Sequence, residues 1–337
     1  MNFERPTLSF SIMKRWTFLA TAATLCALLA GGCSSLDERQ RQWIFQPSDR
    51  SWGNSAAMTE GMDDVWIDFK SPSTGEATRL HGLWYGDAPT SPDTPVMLYL
   101  HGARFNVAGS APRIRRMHEL GFSVLASDYR GFGKSTQALP SELSAREDAR
   151  AAWDWLAKKY PKQRRYIFGH SLGGAIGIDL ASQVRDEAGT IVEGTFTSIA
   201  DVVGSFKWGW LPFSALVTQR FEAIDKVKTI ESPLLVVHGS NDTLINPTLG
   251  KKLYDAATSP KLFVLVEGGS HHSTNSIGEV QYRAALSQLF DMKGRPVPAA
   301  VPDPQSAQAP RAGDASTAAR APASKQARRS ASLAHAG

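Results

Sequence analysis

The stretch "RRYIFGHSLGGAIG", residues 164 to 177, decides the fold. An apolar run suited to a buried strand leads into Gly169-His170-Ser171-Leu172-Gly173, and a helical run follows at once. A single serine between glycines at such a junction sits on a sharp turn. Glycine suits Gly169 and Gly173 because the chain passes too close to itself for a side chain. Serine is a weak nucleophile when free. Held outside a sheet with a helix N-terminus behind it, its hydroxyl is presented to solvent and to whatever lies above the sheet.

Working outward, strand-like and helix-like runs alternate. Strands are expected at 64–70, 79–86, 96–102, 122–129, 165–170, 190–196, 233–239 and 262–268. The first two read as antiparallel. Helices are expected near 111–120, across "AAWDWLAKKY" with a capping box of Ser144 and Glu147, from Leu172, near 247–257 and near 276–291. Eight strands, most of them continuously apolar, predict a mostly parallel sheet flanked by helices on both faces. In such sheets ligands bind beyond the carboxyl ends of the strands. The stretch from 197 to 230, rich in aromatics, reads either as a small lid or as packing helices.

A serine needs a base, and the base needs an orienting carboxylate. "VVHGSNDTLINP" places Asp242 just past a strand, and "VEGGSHHSTN" places His271 just past the last one. The order Ser171, Asp242, His271 is that of a nucleophile elbow with its partners. His272 competes for the role of base and Asp201 is a reserve acid. His101, His170 and His238 adjoin strand ends and read as structural, with both ring nitrogens satisfied. Two backbone amides must face the developing oxyanion. Leu172 supplies one, and Ala103, in the loop after "YLHG", the other. Arg104 and Asn106 share that loop, either to meet a polar or acidic group on a substrate or to hold the loop.

The ends of the chain differ from its body. Arg5, Lys14 and Arg15 against Glu4 give residues 1–32 a net charge of +2, and residues 295–337 carry +4. The formal +5 of the whole chain therefore leaves −1 for everything between. A nearly neutral body carries no electrostatic footprint for nucleic acid. Lys14-Arg15 followed by the apolar "WTFLATAATLCALLA" and "GGCSS" reads as an export signal, with Met13 as an alternative start. "LLAGGC" resembles a bacterial lipobox, which would make Cys33 an acylated mature N-terminus. Ser34 after it implies, by the same resemblance, an outer membrane location facing the periplasm. Cys26 would leave with the signal, so no thiol remains in the body for a disulfide or metal site. The tail is rich in Pro, Ala and Arg and reads as disordered. The expected layout is a signal at 1–32, a linker and first structured segment at 33–60, a catalytic domain at 61–293 and the tail at 294–337.

The motifs "LYLHGA", "DYRGFGKS" (128–135), "GHSLGGA", "HGSNDTLINP" and "EGGSHH" together resemble the α/β-hydrolase superfamily, in its serine esterase, lipase and thioesterase type, over about residues 43–292. "WIFQPSDRSW" resembles the branch holding protein depalmitoylating thioesterases and monoacylglycerol-lipase-like enzymes. The resemblance implies an α/β-hydrolase fold with a small lid or none, and cleavage of carboxylic ester or thioester bonds through an acyl-enzyme on Ser171. It favours His271 over His272, because the base follows a G-x-S step. It implies no metal and no organic cofactor, a monomer, and a small acyl ester, lipid or acylated substrate. A serine nucleophile argues against the dehalogenase and epoxide hydrolase branches, which use aspartate. The alternatives are a serine peptidase, or a non-catalytic lipoprotein that keeps the fold to bind a partner or cell-wall material.

Overall fold

The alternation of apolar side chains within each strand builds the molecule. In β3 (Val96–Leu100), Val96, Leu98 and Leu100 enter one hydrophobic core while Met97 and Tyr99 enter a second. Successive strand residues point to opposite faces of the sheet, so "VMLYL" serves both layers at once. All five are fully buried, and each such aliphatic side chain stabilises the fold by about 1.5–3 kcal/mol. The same division holds in β5 (Arg165–His170), β6 (Gly189–Glu193) and β7 (Leu234–Gly239).

The computed structural model describes residues 34–47 and 55–292, apart from 88, 90, 92, 105 and 206–215. The export signal, Cys33, the tail and the middle of the 197–230 stretch lie outside the described residues. The remaining strands are β1 (Asp63–Lys70), β2 (Ala77–Tyr85), β4 (Ser123–Ser127) and β8 (Lys261–Val266). They form one eight-stranded sheet in the order β1-β2-β4-β3-β5-β6-β7-β8. β1 and β2 pair antiparallel, as do β2 and β4, and every later pair is parallel. The predicted eight strands and antiparallel opening are therefore present.

The helices are α1 (34–45), α2 (Ser55–Met58), α3 (Ala111–Glu119), α4 (Glu142–Lys159), α5 (Leu172–Ala181), α6 (Ile199–Gly204), α7 (Ala223–Lys226), α8 (Pro247–Ala256), α9 (Thr274–Ile277) and α10 (Glu279–Phe290). Trp153 of α4, Ile176 of α5 and Leu253 of α8 fill the first core. Ile114 of α3 and Tyr282 and Leu286 of α10 fill the second. The parallel strands thus end between two helical layers.

One expectation fails at the start of α4. Its capping box is Ser141 with Ser144, one turn earlier than the predicted Ser144 with Glu147. Ser141 Oγ accepts from the Ser144 amide at 3.1 Å, and Ser144 Oγ accepts from the Ser141 amide at 2.8 Å. Glu147 is engaged elsewhere: its carboxylate accepts from Arg130 Nη2 at 2.6 Å and from Ser71 Oγ at 2.7 Å. A tertiary ion pair took the residue that the local pattern assigned to the cap.

Candidate active site

β5 ends at His170 and α5 begins at Leu172, so Ser171 alone makes the turn. It does so at φ 56°, ψ −123°, a conformation sparsely populated by residues other than glycine. Strain of this kind persists only where the surroundings enforce it. Here the Ser171 amide donates to the Glu193 carbonyl at 2.9 Å, and its own carbonyl accepts from Thr195 Oγ1 at 2.8 Å. The flanking glycines are obligatory: a Cβ on Gly169 would lie 2.2 Å from the Gly173 carbonyl, and one on Gly173 2.2 Å from the Leu100 carbonyl.

Asp242 stands in the loop after β7, its side chain fully buried. Oδ1 accepts from the amides of Leu244 (2.9 Å) and Ile245 (2.8 Å). Oδ2 lies 2.8 Å from His271 Nδ1 and 3.3 Å from His238 Nε2. Burial alone would push this carboxyl up. The contacts to His238 and His271, with the Ile245 amide, outweigh burial and hold it well below the usual carboxylate range.

His271 follows β8 in a loop stitched by its serines. Ser270 and Ser273 bond each other's amides at 3.0 and 3.2 Å, and Thr274 Oγ1 donates to the Ser270 carbonyl at 2.7 Å. His170 Nε2 donates to the His271 carbonyl at 3.0 Å. Burial, then the nearby Arg113 charge, keeps the His170 pKa well below 6.5, so its ring is neutral with the proton on the donating nitrogen. Gly194 (φ 58°) is the meeting point: a Cβ there would lie 3.3 Å from His271 Nδ1 and 3.5 Å from Asp242 Oδ2. Its neighbours Glu193 and Thr195 are the two residues that grip Ser171. The three residues predicted from sequence are thus gathered at the ends of β5, β7 and β8. Among the described residues the Ser171 hydroxyl makes no hydrogen bond to His271. In sites without substrate this contact is commonly long and tightens on binding.

The competitors separate cleanly. His272 is exposed, while Nδ1 of the buried His271 holds the Asp242 oxygen. Replacing His272 with glutamine is expected to change kcat by less than about threefold, measured on any ester the protein turns over, because among the described residues no carboxylate bonds that ring. Asp201 is occupied near the start of α6, its Oδ2 accepting from Thr197 Oγ1 at 2.5 Å.

The loop after β3 abuts the serine, since a Cβ on Gly102 would lie 3.1 Å from Ser171 Cβ. The Arg104 amide is taken up by the Phe45 carbonyl at 2.9 Å and so does not face the serine. Leu172 is the first residue of α5, where helix amides have no intrahelical partner. Arg104 is exposed at φ 68°, and its Nε donates to Gln46 Oε1 at 2.8 Å. Asn106 caps a 3-10 turn, Val107–Ser110, that runs into α3.

The strand-end histidines do more than the sequence suggested. His238 braces Asp242, His170 braces the His271 loop, and His101 Nδ1 contacts the Gly102 carbonyl at 2.7 Å. The expected satisfaction of both ring nitrogens fails at His101, whose buried Nε2 makes no hydrogen bond and lies 3.3 Å from Asp128 Oδ1, and at His238, whose Nδ1 is buried without a hydrogen-bond partner among the described residues. Gly250 of α8 packs against that nitrogen and leaves space for the ring alone. No sequence pattern announced these contacts, nor the burial of Glu193 beneath the elbow. Among the described residues no group of three or more His, Cys, Asp or Glu is arranged to hold a metal ion.

A family model described as serine aminopeptidase, S33, matches residues 91–223. An uncharacterized protein of Mycobacterium tuberculosis is 32% identical over 262 residues, spanning 77% of this chain and 90% of its own. With the fold above, these matches place the chain in the α/β-hydrolase superfamily, to which it belongs as a hydrolase. The lysophosphatidylserine lipase of Danio rerio is 31% identical over 216 residues, 58% of this chain and 56% of that one. An esterase of Pyrococcus furiosus shares the fold with a TM-score of 0.59 at 20% identity, over 73% of this chain and 96% of the esterase.

Proposed function

We propose that this hydrolase cleaves carboxylic esters of lipid or acylated substrates through an acyl-enzyme on Ser171. The observation that carries the reading is the buried Asp242–His271 pair, 2.8 Å apart and packed on Gly194, between the two residues that fix the strained serine. Asp242 holds the Nδ1 proton, so Nε2 is the nitrogen that takes a proton from Ser171. As that proton leaves, Ser171 Oγ bonds to the ester carbonyl carbon. The carbonyl oxygen, now negative, faces the Leu172 and Ala103 amides, and each such donor contributes about 3–4 kcal/mol in the transition state. Collapse expels the alcohol, which carries away the proton from His271. Water repeats the cycle on the acyl-serine, with the same imidazole as base and then as acid.

A lipid ester as substrate is supported by the lysophosphatidylserine lipase among the relatives. The family model's description favours a second reading, an aminopeptidase. The test is to offer the purified protein a p-nitrophenyl ester series of increasing acyl length, a thioester, and aminoacyl amides, beside a fluorophosphonate probe. Labelling with ester turnover supports the proposal, turnover of amides alone supports the second reading, and neither labelling nor turnover removes both.

The sequence of residues 1–33, with its charged start, apolar run and lipobox-like "LLAGGC", supports export and anchoring at Cys33 in the outer membrane, facing the periplasm. Labelled palmitate is expected to be incorporated by the parent in bacterial cells and lost in Cys33→Ala. Equal labelling of the two, or none of the parent, overturns the anchor.

A further inference from the structure

Beneath the elbow lies a charged pair that the mechanism above does not use. Glu193 ends β6 and is fully buried. Its carbonyl accepts the Ser171 amide, while its carboxylate accepts from Arg113 Nε at 3.0 Å and from the Tyr282 hydroxyl. Arg113, on α3, also sends Nη2 to the His272 carbonyl at 3.4 Å. Its helix continues directly from the 3-10 turn that closes the Ala103 loop. One ion pair therefore joins the strand end under the serine, the helix behind the oxyanion loop and the loop carrying His271.

Stability alone does not call for such a pair. Two charges taken out of water roughly cancel their own attraction, and an apolar pair of similar volume stabilises a core as well or better. Geometry is what an apolar pair would lose. The guanidinium fork is rigid and can hold two acceptors at fixed separation, here the Glu193 carboxylate and the His272 carbonyl. We infer that the Arg113–Glu193 pair is a positioning device for the Ser171–His271 relay, and that Arg113 sets where the histidine loop stands relative to the strained serine. This rests on the serine-hydrolase reading above.

The pair also shapes the electrostatics. After burial itself, the Arg113 charge is among the causes that keep His170 and His272 below their ordinary pKa. The other groups around the 271–272 loop are Asp242, His238, Arg104, Tyr282 and Glu193. Glu193 balances Arg113 at close range, so removing the carboxylate leaves the guanidinium with the His272 carbonyl but without its charged anchor.

The experiment measures kcat and KM on a neutral p-nitrophenyl ester, with rates normalised to sites titrated by fluorophosphonate. Arg113→Met is expected to lower kcat by about 10–100-fold, with KM within about threefold, since small misplacements of reacting groups cost that much. Arg113→Lys keeps the charge without the fork and should lose about five- to tenfold in kcat. Glu193→Gln removes the fork's charged anchor and should lower kcat by about five- to tenfold with KM within about threefold, and the double variant Arg113→Met/Glu193→Gln should lose no more than Arg113→Met alone, because the two side chains act as one device. If Arg113→Met does not fold, Arg113→Lys and Glu193→Gln decide. Parental kcat per titrated site in both Arg113 variants, or in Glu193→Gln, overturns the positioning role. Ser171→Ala is run alongside: activity surviving there overturns the serine reading itself, a result the Arg113 variants cannot produce.

Discussion

Replacing Ser171 with alanine is expected to cut ester hydrolysis by on the order of 10⁶-fold, to the residual that binding and the oxyanion amides provide. The change removes one oxygen and leaves the backbone problem untouched. Alanine meets the same steric cost as serine at φ 56°, and the main-chain grips from Glu193 and Thr195 do not involve the hydroxyl. The variant should therefore fold like the parent by circular dichroism while losing both turnover and fluorophosphonate labelling. His271→Ala should lose nearly as much, and the two losses should not add, because nucleophile and base act as one unit. A Ser171→Ala protein that still hydrolyses esters at the parental rate would remove the proposed mechanism.

Asp242→Asn should lower kcat by about 10³–10⁴-fold with KM little changed. The amide oxygen can still accept from Leu244 and Ile245, so the loop after β7 is expected to hold. Its amide nitrogen then faces His271 Nδ1 as a donor, which drives the imidazole proton to Nε2, where it cannot receive the serine proton. The same substitution has a second readout. The Asp242 carboxyl is held below its ordinary 3.8 in the folded chain, so its ionised form contributes stability above that value. That contribution is lost as pH falls through the lower folded value. Urea unfolding of the parent should weaken in acid by more than that of Asp242→Asn. Equal acid sensitivity of the two would mean that the carboxylate is not stabilised where the structure has it.

The parts of the site that were legible in the sequence are those that local chemistry enforces. The turn at residues 169–173 needs glycines because backbone passes within contact of backbone. Strands declare themselves through apolar runs, and in an α/β sheet functional residues follow strands. From these rules Ser171, Asp242 and His271 could be named in order. Local pattern misleads where a distant residue intervenes, as at Glu147, which Arg130 draws away from the cap of α4. A short-range pattern cannot register a partner that only the sheet order brings near.

By itself, then, the sequence determined the elements, their chain order and the three residues nominated for chemistry, because periodicity and turn sterics act within a few residues. Only the tertiary structure decided that β4 lies between β2 and β3. It alone gave the Asp242 oxygen to His271 and left His272 exposed. It alone turned His238, His170 and the Arg113–Glu193 pair into the frame of the site. Those contacts join residues brought together by strand order and by burial in a shared low-dielectric interior, where charges and polar groups must find partners whatever their distance along the chain.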